Sequence, residues 1–163
     1  MKYYNEIAQG YEELHKEEQL KKLKIIKENI EFGENVLDVG CGTGFCLEEI
    51  ESEHKIGIDP SEELVKIGKE KGRNLIIGNG ENLPFQAEEF DTIICLTAAH
   101  HFTDIKKGFS EMERVGKNNF GFSILKNSEK LNLIRKIIHE TFDEVKEIEE
   151  EKDMIFICEK NST

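Results

Sequence analysis

Short apolar blocks alternate with amphipathic segments along most of the chain, and this alternation restricts the fold more than any other feature. Four of the blocks are nearly continuous runs of apolar residues, at 36–40, 74–78, 90–96 and 119–125. Such runs are typical of strands that are buried on both faces of a parallel sheet. Because segments with helical spacing separate the blocks, the 163-residue sequence predicts a single α/β domain with an open parallel sheet.

The two ends of the chain extend this pattern. Apolar residues at steps of three and four predict a helix over residues 3–30, with a break near Glu17. The last two strand-like blocks lie on either side of Lys152 and Asp153 and are too close in sequence for a crossover helix. We therefore expect an antiparallel hairpin with these two residues at its tip.

The net charge of −12 limits the class of partner. A protein that binds nucleic acid directly normally presents a basic face, because phosphate contacts supply most of the affinity. The chain has no basic run to match its acidic ones, so the sequence disfavours nucleic acid as a direct partner. An acidic field favours a cationic ligand or partner instead.

The compartment is predicted from the cysteines and from the lack of long apolar runs. No apolar run approaches the ~20 residues of a membrane span, and the N-terminus does not resemble a signal peptide, so we expect no membrane association. The cysteines lack zinc-site spacing, and two of them lie within apolar blocks. We interpret all four as reduced, mostly buried thiols of a cytoplasmic protein without a metal site. They are Cys41, Cys46, Cys95 and Cys158.

Polar residues and glycines gather where the predicted strands end. Ligands of open α/β sheets bind at the carboxyl ends of the strands, so these residues are the candidate site. They are Asp38, Gly40, Gly42, Gly44, Asp59, Asn79, Gly80, Glu81 and residues 97–101.

The glycine turn after the first strand restricts the ligand. A dinucleotide fingerprint needs a third glycine where this chain has Phe45, and the lysine of a P-loop is absent. Asp38 would be a poor neighbour for a pyrophosphate, but a carboxylate there suits an ammonium group. Asp59 can accept hydrogen bonds from two ribose hydroxyls, as in NAD proteins too. A ligand with ribose at one end and an ammonium at the other, such as S-adenosylmethionine, fits both acids.

Five segments, in order and at matching spacing, resemble the class I S-adenosylmethionine-dependent methyltransferases of the type found in ubiquinone and menaquinone biosynthesis (type 11). The resembling segments are YNEIAQGY (4–11), VLDVGCGTG (36–44), GIDPSEELVKIGKEKG (57–72), GNGENLPFQAEEFDTIICLTAAHHF (78–102) and EMERV (111–115). The resemblance implies a Rossmann-like, doubly wound seven-stranded sheet, mostly parallel with an antiparallel C-terminal hairpin. The implied strand order is 3-2-1-4-5-7-6, with residues 1–30 as a helical lid and 36–163 as the cofactor-binding core.

The resemblance also implies roles in holding S-adenosylmethionine. Asp38 would anchor the ammonium (capping the glycine turn is the structural alternative), and Asp59 would hold the ribose hydroxyls. Asn79 stands where the family commonly has Asp, which should weaken binding to adenine without abolishing it. The remaining residues would support the cofactor with the backbone of the turn, border the adenine, lie under the methionine part at the end of the fourth strand, and cover the site from the first helix. These are Gly40, Cys41, Gly42 and Gly44; Pro60, Gly80 and Glu81; Thr97; and Tyr11.

The acceptor of the methyl group stays open. Methyl transfer needs alignment and exclusion of water more than a catalytic side chain, and His100 and His101 are the candidates for a general base. Relatives often carry an insertion that roofs the substrate, and this chain has GKNN at 116–119, expected as a surface turn, and no such roof. A small molecule or a protein as acceptor, or a partner subunit that completes the pocket, would each fit.

Two other functions compete with a methyltransferase. The first is a non-catalytic or partner-dependent subunit that keeps the fold and binds the cofactor. The second is a nicotinamide oxidoreductase, which Phe45 and Asp38 disfavour.

Overall fold

The computed structural model describes the backbone of residues 2–160 and the side chains of residues 10–160. Helices and strands alternate along the chain. They are α1 (Lys2–Asn29), β1 (Asn35–Val39), β2 (His54–Asp59), α2 (Glu62–Glu70), β3 (Leu75–Ile77), β4 (Phe90–Leu96), α3 (Ile105–Val115), β5 (Gly116–Leu125), α4 (Leu131–Thr141), β6 (Glu144–Glu149) and β7 (Asp153–Glu159). Short 3-10 helices follow β1 at Phe45–Glu49 and β4 at Ala99–His101.

The strands form one seven-stranded sheet in the order β3-β2-β1-β4-β5-β7-β6. The first five strands pair in parallel, and β7 runs antiparallel to both β5 and β6. This confirms the predicted fold class, strand order and C-terminal hairpin. Asp38 lies in the middle of the sheet, where its partners are Gly57 of β2 and Ile94 of β4.

Apolar layers cover both faces of the sheet. One layer is rich in phenylalanine and lies under α3 and α4, where the rings of Phe120 and Phe142 have centroids 4.5 Å apart. The opposite layer contains Leu23 and Ile26 of α1 and Val65 of α2, packed with residues of the central strands. Because both faces are covered, the carboxyl edge of the parallel strands is left as the place for a ligand.

The first helix spans nearly the predicted residues and is more regular than the sequence predicted. α1 continues without a break through Glu17, so the predicted interruption there is wrong. Between Glu12 and Asn29 the helix contains neither glycine nor proline, and its many Glu, Lys, Gln and Leu residues have high helix propensity. None of the helices within residues 2–160 combines the length and the apolar composition that crossing a membrane requires.

Two predictions about turns in the C-terminal half of the chain are also wrong. Residues 116–119 belong to β5, which begins at Gly116 directly after α3, and do not form a surface turn. Asp153 is the buried first residue of β7, so the hairpin turn lies at 150–152. Its position follows from local bonding, since the Asp153 backbone N–H donates to Glu150 Oε1 at 3.1 Å.

α2 sits close behind the turn that follows β1. Its N-cap is Ser61, whose hydroxyl accepts from the Leu64 backbone N–H at 3.2 Å. At Gly68 a Cβ atom would lie 2.2 Å from the carbonyl oxygen of Thr43 and 2.2 Å from the side chain of Leu75. A glycine at this place therefore lets the helix approach the backbone of the glycine turn.

We expect Gly68→Ala to lower the free energy of unfolding by about 1–3 kcal/mol, because the new methyl group collides with a backbone oxygen. Gly10→Ala is the matched control, since nothing lies within 4 Å of its Cβ position in α1. There the change should stabilise by roughly 0.5–1 kcal/mol through helix propensity. Urea denaturation of both variants measures the difference; equal stabilities would contradict the close approach.

Candidate functional site

A cavity of about 610 Å³ opens at the carboxyl ends of the parallel strands and beneath α1. Its volume lies within the usual range of small-molecule sites. Most of the residues predicted from the sequence line it: Tyr11, Gly40, Asp59, Pro60, Asn79, Gly80, Glu81, Thr97, His100 and His101. The remaining four, Asp38, Cys41, Gly42 and Gly44, do not line it and lie behind its wall in buried positions.

Asp59 ties the end of β2 to the glycine turn. Its Oδ2 accepts from the Gly42 backbone N–H at 2.9 Å, and its Oδ1 accepts from the Ser61 backbone N–H at 2.8 Å. The side chain thus organises two loops while it faces the cavity. Each carboxylate oxygen can accept more than one hydrogen bond, so capacity remains for a ligand hydroxyl.

The loop after β3 forms the neighbouring wall. Asn79 is exposed at the cavity, and Gly80 is buried against the ring of Phe102, where a Cβ would lie 2.6 Å from a ring carbon. Glu81 Oε2 accepts from the Thr103 backbone N–H at 2.9 Å, which joins this loop to the segment after β4.

The glycine turn is made possible by residues without side chains. Gly40, Gly42 and Gly44 all have positive φ angles, of 74°, 58° and 79°. A Cβ on Gly40 would lie 2.4 Å from the Cβ of Ala98, and one on Gly42 would lie 2.2 Å from the hydroxyl of Tyr11. The turn therefore needs glycine both for its backbone conformation and for the close approach of its neighbours.

Asp38 is a carboxyl group buried in the sheet behind this turn, 3% exposed. Burial, and next the negative charge of Asp59, raise its pKa to about 8. At neutral pH the group is thus mostly protonated when no cation is nearby. A positive group of a ligand on the cavity side would favour the ionised form.

The four cysteines are free, buried thiols, which confirms the predicted burial. Burial raises the pKa of the Cys41 thiol far above its usual range, and the nearby Asp38 and Asp59 add to this. The thiolate that a nucleophile needs is therefore disfavoured, and Cys41 acts in the turn as a small residue.

α1 covers the glycine turn and is fastened there by an ionic cluster. Glu12 accepts from Arg73 Nη1 at 2.5 Å, from Lys71 Nζ at 3.1 Å and from Thr43 Oγ1 at 3.1 Å. Tyr11, one residue before, faces the cavity, and burial together with Asp59 and Asp38 raises the pKa of its hydroxyl to about 12. The hydroxyl thus stays protonated and can donate a hydrogen bond.

The end of the cavity opposite to Asp59, here called the far end, contains polar groups that the sequence did not predict. Gln19 and Lys22 of α1 line this end, and Lys22 contacts Thr97 and the buried Asp153. One signal was present in the sequence, since Lys22 lies next to Leu23 and four residues before Ile26 on the apolar face of α1. Asp153 carried no such signal, because it follows a run of solvated acids.

The segment after β4 holds Thr97 and the two histidines. Thr97 has a φ of 52°, which is an outlier for a β-branched residue. His100 Nδ1 is buried and has no hydrogen-bond partner within the described residues, while His101 is exposed. Burial, followed by the charges of His101 and Lys130, lowers the pKa of His100, which favours its neutral form.

Comparison with known proteins agrees with this arrangement. The family model described as "Methyltransferase domain" matches residues 37–122, which contain the glycine turn, Asp59, the loop after β3 and the end of β4. The chain belongs to this methyltransferase family. Its cofactor is S-adenosylmethionine, and the expected resemblance to this class is confirmed.

The methyltransferase domain also has relatives over most of its length. It is 32% identical to protein MJ1252 of Methanocaldococcus jannaschii over 149 residues, which are 88% of this chain and 59% of that protein. The chain spans less than two thirds of the length of the curated relatives that it matches first.

Two solved structures share the methyltransferase fold. A SAM-dependent methyltransferase from Aquifex aeolicus is similar with a TM-score of 0.78 and 20% identity, over 94% of this chain and 97% of that chain. A chain from the complex of the Haloferax volcanii Trm112 methyltransferase activator with a protein described as a methyltransferase is similar with a TM-score of 0.76 and 13% identity, over 96% of each chain. At these identities the likeness shows the fold.

We expect Asp38→Asn to change how stability depends on pH. The pKa of Asp38 is about 8 in the folded protein, against the ordinary aspartate value of 3.8, so between these two values only the folded state holds the proton. The contribution of the protonated Asp38 to the free energy of unfolding is fully present below about pH 4 and is lost as the pH rises to about 8. At pH 8 the variant should therefore be more stable than the wild type by about 1 kcal/mol or more.

Urea denaturation at about pH 5 and pH 8 measures this effect. The control is Glu129→Gln, which removes an exposed carboxylate outside the site. A stability difference between Asp38→Asn and wild type that does not grow with pH would contradict the raised pKa.

Proposed function

We propose that the chain transfers the methyl group of S-adenosylmethionine to an acceptor bound over the ends of β4 and β5. The observation that carries this proposal is one cavity lined by Gly40 of the glycine turn, Asp59 and Thr97, with the buried Asp38 two residues before Gly40. A ligand with a ribose and an ammonium matches the two acids. The family of the domain supports the same assignment.

In this proposal the cofactor lies along the cavity from the end of β2 to the end of β4. Asp59 accepts from the ribose hydroxyls, with Pro60, Asn79, Gly80 and Glu81 beside the adenine. The backbone from Gly40 to Gly44, with Cys41 and Gly42 between them, supports the centre. Asp38 balances the ammonium, Thr97 borders the methionine half, and Tyr11 covers the site from α1.

The bound cofactor supplies an electrophilic methyl group, and the chain supplies alignment and exclusion of water. α1 closes one side of the cavity and is held there through Glu12 and Arg73. A neutral imidazole at the acceptor end can accept a proton from an O–H or N–H group. His100 is the better candidate of the two histidines, because burial lowers its pKa and so favours the neutral imidazole at the cavity wall.

In this proposal the acceptor is a small molecule or a protein. The second candidate function is that of a subunit that needs a partner to complete its pocket. The excess of acidic residues speaks against naked nucleic acid. One structure of the same fold is a complex with a methyltransferase activator, which gives a partner-dependent enzyme or a cofactor-binding subunit some support. We propose a cytoplasmic location from the composition alone.

Calorimetric titration with S-adenosylmethionine, S-adenosylhomocysteine and NAD tests the proposed function. We expect the two adenosyl ligands to bind and NAD to fail. Asp59→Ala should weaken both by about tenfold or more, because it removes charge-assisted hydrogen bonds.

The control for this titration is Glu63→Ala, an exposed acid of α2 outside the cavity. Binding of NAD alone would contradict the proposal. Tight binding of S-adenosylmethionine by the purified chain would show that a partner is not needed for this step.

Asp38 gives a second test, because binding an ammonium beside it should release its proton. With a pKa of about 8 the carboxyl group is mostly protonated at pH 7, and a neighbouring positive charge lowers that pKa. We expect release of up to about one proton per bound ligand at pH 7.

The number of protons follows from the binding enthalpy in buffers with different heats of ionisation. Asp38→Asn should bind without this release. If the buffer has no effect on the wild-type enthalpy, Asp38 does not meet the ammonium.

A further inference from the structure

A buried ion pair lies in the wall at the far end of the cavity. Lys22 of α1 is 3% exposed and Asp153 of β7 is fully buried. The Lys22 Nζ is 3.1 Å from Asp153 Oδ1, and it donates to Gln19 Oε1 at 3.0 Å and to Thr97 Oγ1 at 2.9 Å. All three ammonium protons thus have a nearby acceptor.

Asp153 is bound on the other side. Its Oδ2 accepts from the Thr97 hydroxyl at 2.9 Å, while its Oδ1 has no aligned hydrogen-bond donor among the described residues and is balanced by the Lys22 ammonium. Thr97 also lies 3.0 Å from the hydroxyl of Ser123 in β5. The pair therefore joins α1, the end of β4, β5 and β7.

This pair fixes a strained residue. A positive φ at a β-branched residue is strained and persists where surrounding contacts hold it in place. At Thr97 these contacts are the Lys22 and Asp153 bonds to its hydroxyl and the bond from its backbone N–H to the Ser123 carbonyl at 2.8 Å.

The pair lies at the end of the cavity opposite to Asp59. β2 and β4 flank β1, and neighbouring strands are ~4.8 Å apart, so the strand ends at Asp59 and Thr97 are separated by roughly 10 Å. If Asp59 holds the ribose, as proposed above, the methionine half of the ligand faces Leu96 and Thr97, which line the cavity with Lys22.

We propose that the Lys22–Asp153 pair is the electrostatic wall beside the sulfonium and sets the preference of the site between S-adenosylmethionine and S-adenosylhomocysteine. The inference rests on the proposed function. The two ligands differ by one positive charge, so their affinity ratio reports the charge of this wall. An unpaired ammonium would repel the sulfonium, and an unpaired carboxylate would attract it. In the intact pair the two charges offset each other, and the pair also positions Thr97.

Four other titratable groups lie near the pair. Two of them have partners in the protein, and the other two face the cavity and act on both ligands. Glu18 is paired with Lys152, and Glu150 accepts from the backbone of Lys152 and Asp153. His15 and His100 face the cavity. Comparison of each variant with the wild type at the same pH removes their contribution from the ratio.

Three variants test the wall by calorimetric titration with both ligands. Asp153→Asn at about pH 6 leaves an unpaired lysine, and the affinity ratio should shift by at least about threefold against S-adenosylmethionine. Lys22→Met at about pH 8 leaves an unpaired carboxylate, and the ratio should shift by a similar factor in its favour. The double variant Lys22→Met/Asp153→Asn removes both charges and should return to within about twofold of the wild type.

Opposite shifts in the two single variants would not follow from a loss of packing, which affects both ligands alike. Unchanged ratios in both single variants, with both ligands still bound, would overturn the inference and leave the proposed function intact. Failure of the wild type to bind either ligand would instead contradict the proposed function.

A measurement on the wild type covers the case in which a single variant does not fold. The ammonium resonance of Lys22 in ¹⁵N-labelled protein should shift when S-adenosylhomocysteine is replaced by S-adenosylmethionine, because the added charge is close. The resonance of Lys146, which bonds Asn29 away from the cavity, is the control. Equal small changes at both lysines would overturn the inference.

Discussion

The close approach of backbone segments at the glycine turn is the constraint on which the rest of the structure depends. Side chains are excluded at Gly40 by Ala98, at Gly42 by Tyr11 and at Gly68 by the carbonyl of Thr43. These contacts bring the segment after β4, the first helix and α2 onto one short turn. The turn is therefore held between these three segments, with Gly40 at the cavity and Asp38 buried behind it.

Of the two neighbouring acids, only Asp59 contributes to the fold through its charge. Asp59 is compensated by two backbone N–H groups, whereas Asp38 is buried beside it with a raised pKa. A buried carboxyl group that resists ionisation lowers stability at neutral pH. Functional sites commonly retain such residues at the expense of stability. A cationic ligand that neutralises Asp38 would turn this unfavourable feature into binding free energy.

Sequence patterns predicted most of the strands, because buried parallel strands leave continuous apolar blocks, and β4 has the predicted bounds. The strand order was implied by the family resemblance. Glycines and acids at strand ends likewise predicted the half of the cavity near Asp59. The prediction was wrong where long-range contacts override local signals. Asp153 looks like a turn residue, but it is buried because Lys22, more than a hundred positions earlier, lies against it. No local spacing rule contains that information. For the same reason the sequence did not predict the polar far end of the cavity.

The same contacts change the interpretation of α1. A helical lid suggests a segment that moves as a unit, yet the ion pairs that fasten α1 differ in burial. Ten residues into α1, Glu12 meets Arg73 and the half-exposed Lys71, and ten residues later Lys22 is enclosed with the fully buried Asp153. Separating the more deeply buried pair leaves an uncompensated charge, which costs more than opening one that is partly exposed. Opening for a ligand is therefore easiest at the Glu12 end, over the glycine turn, while the Lys22 end stays fixed as the wall against which an acceptor must fit.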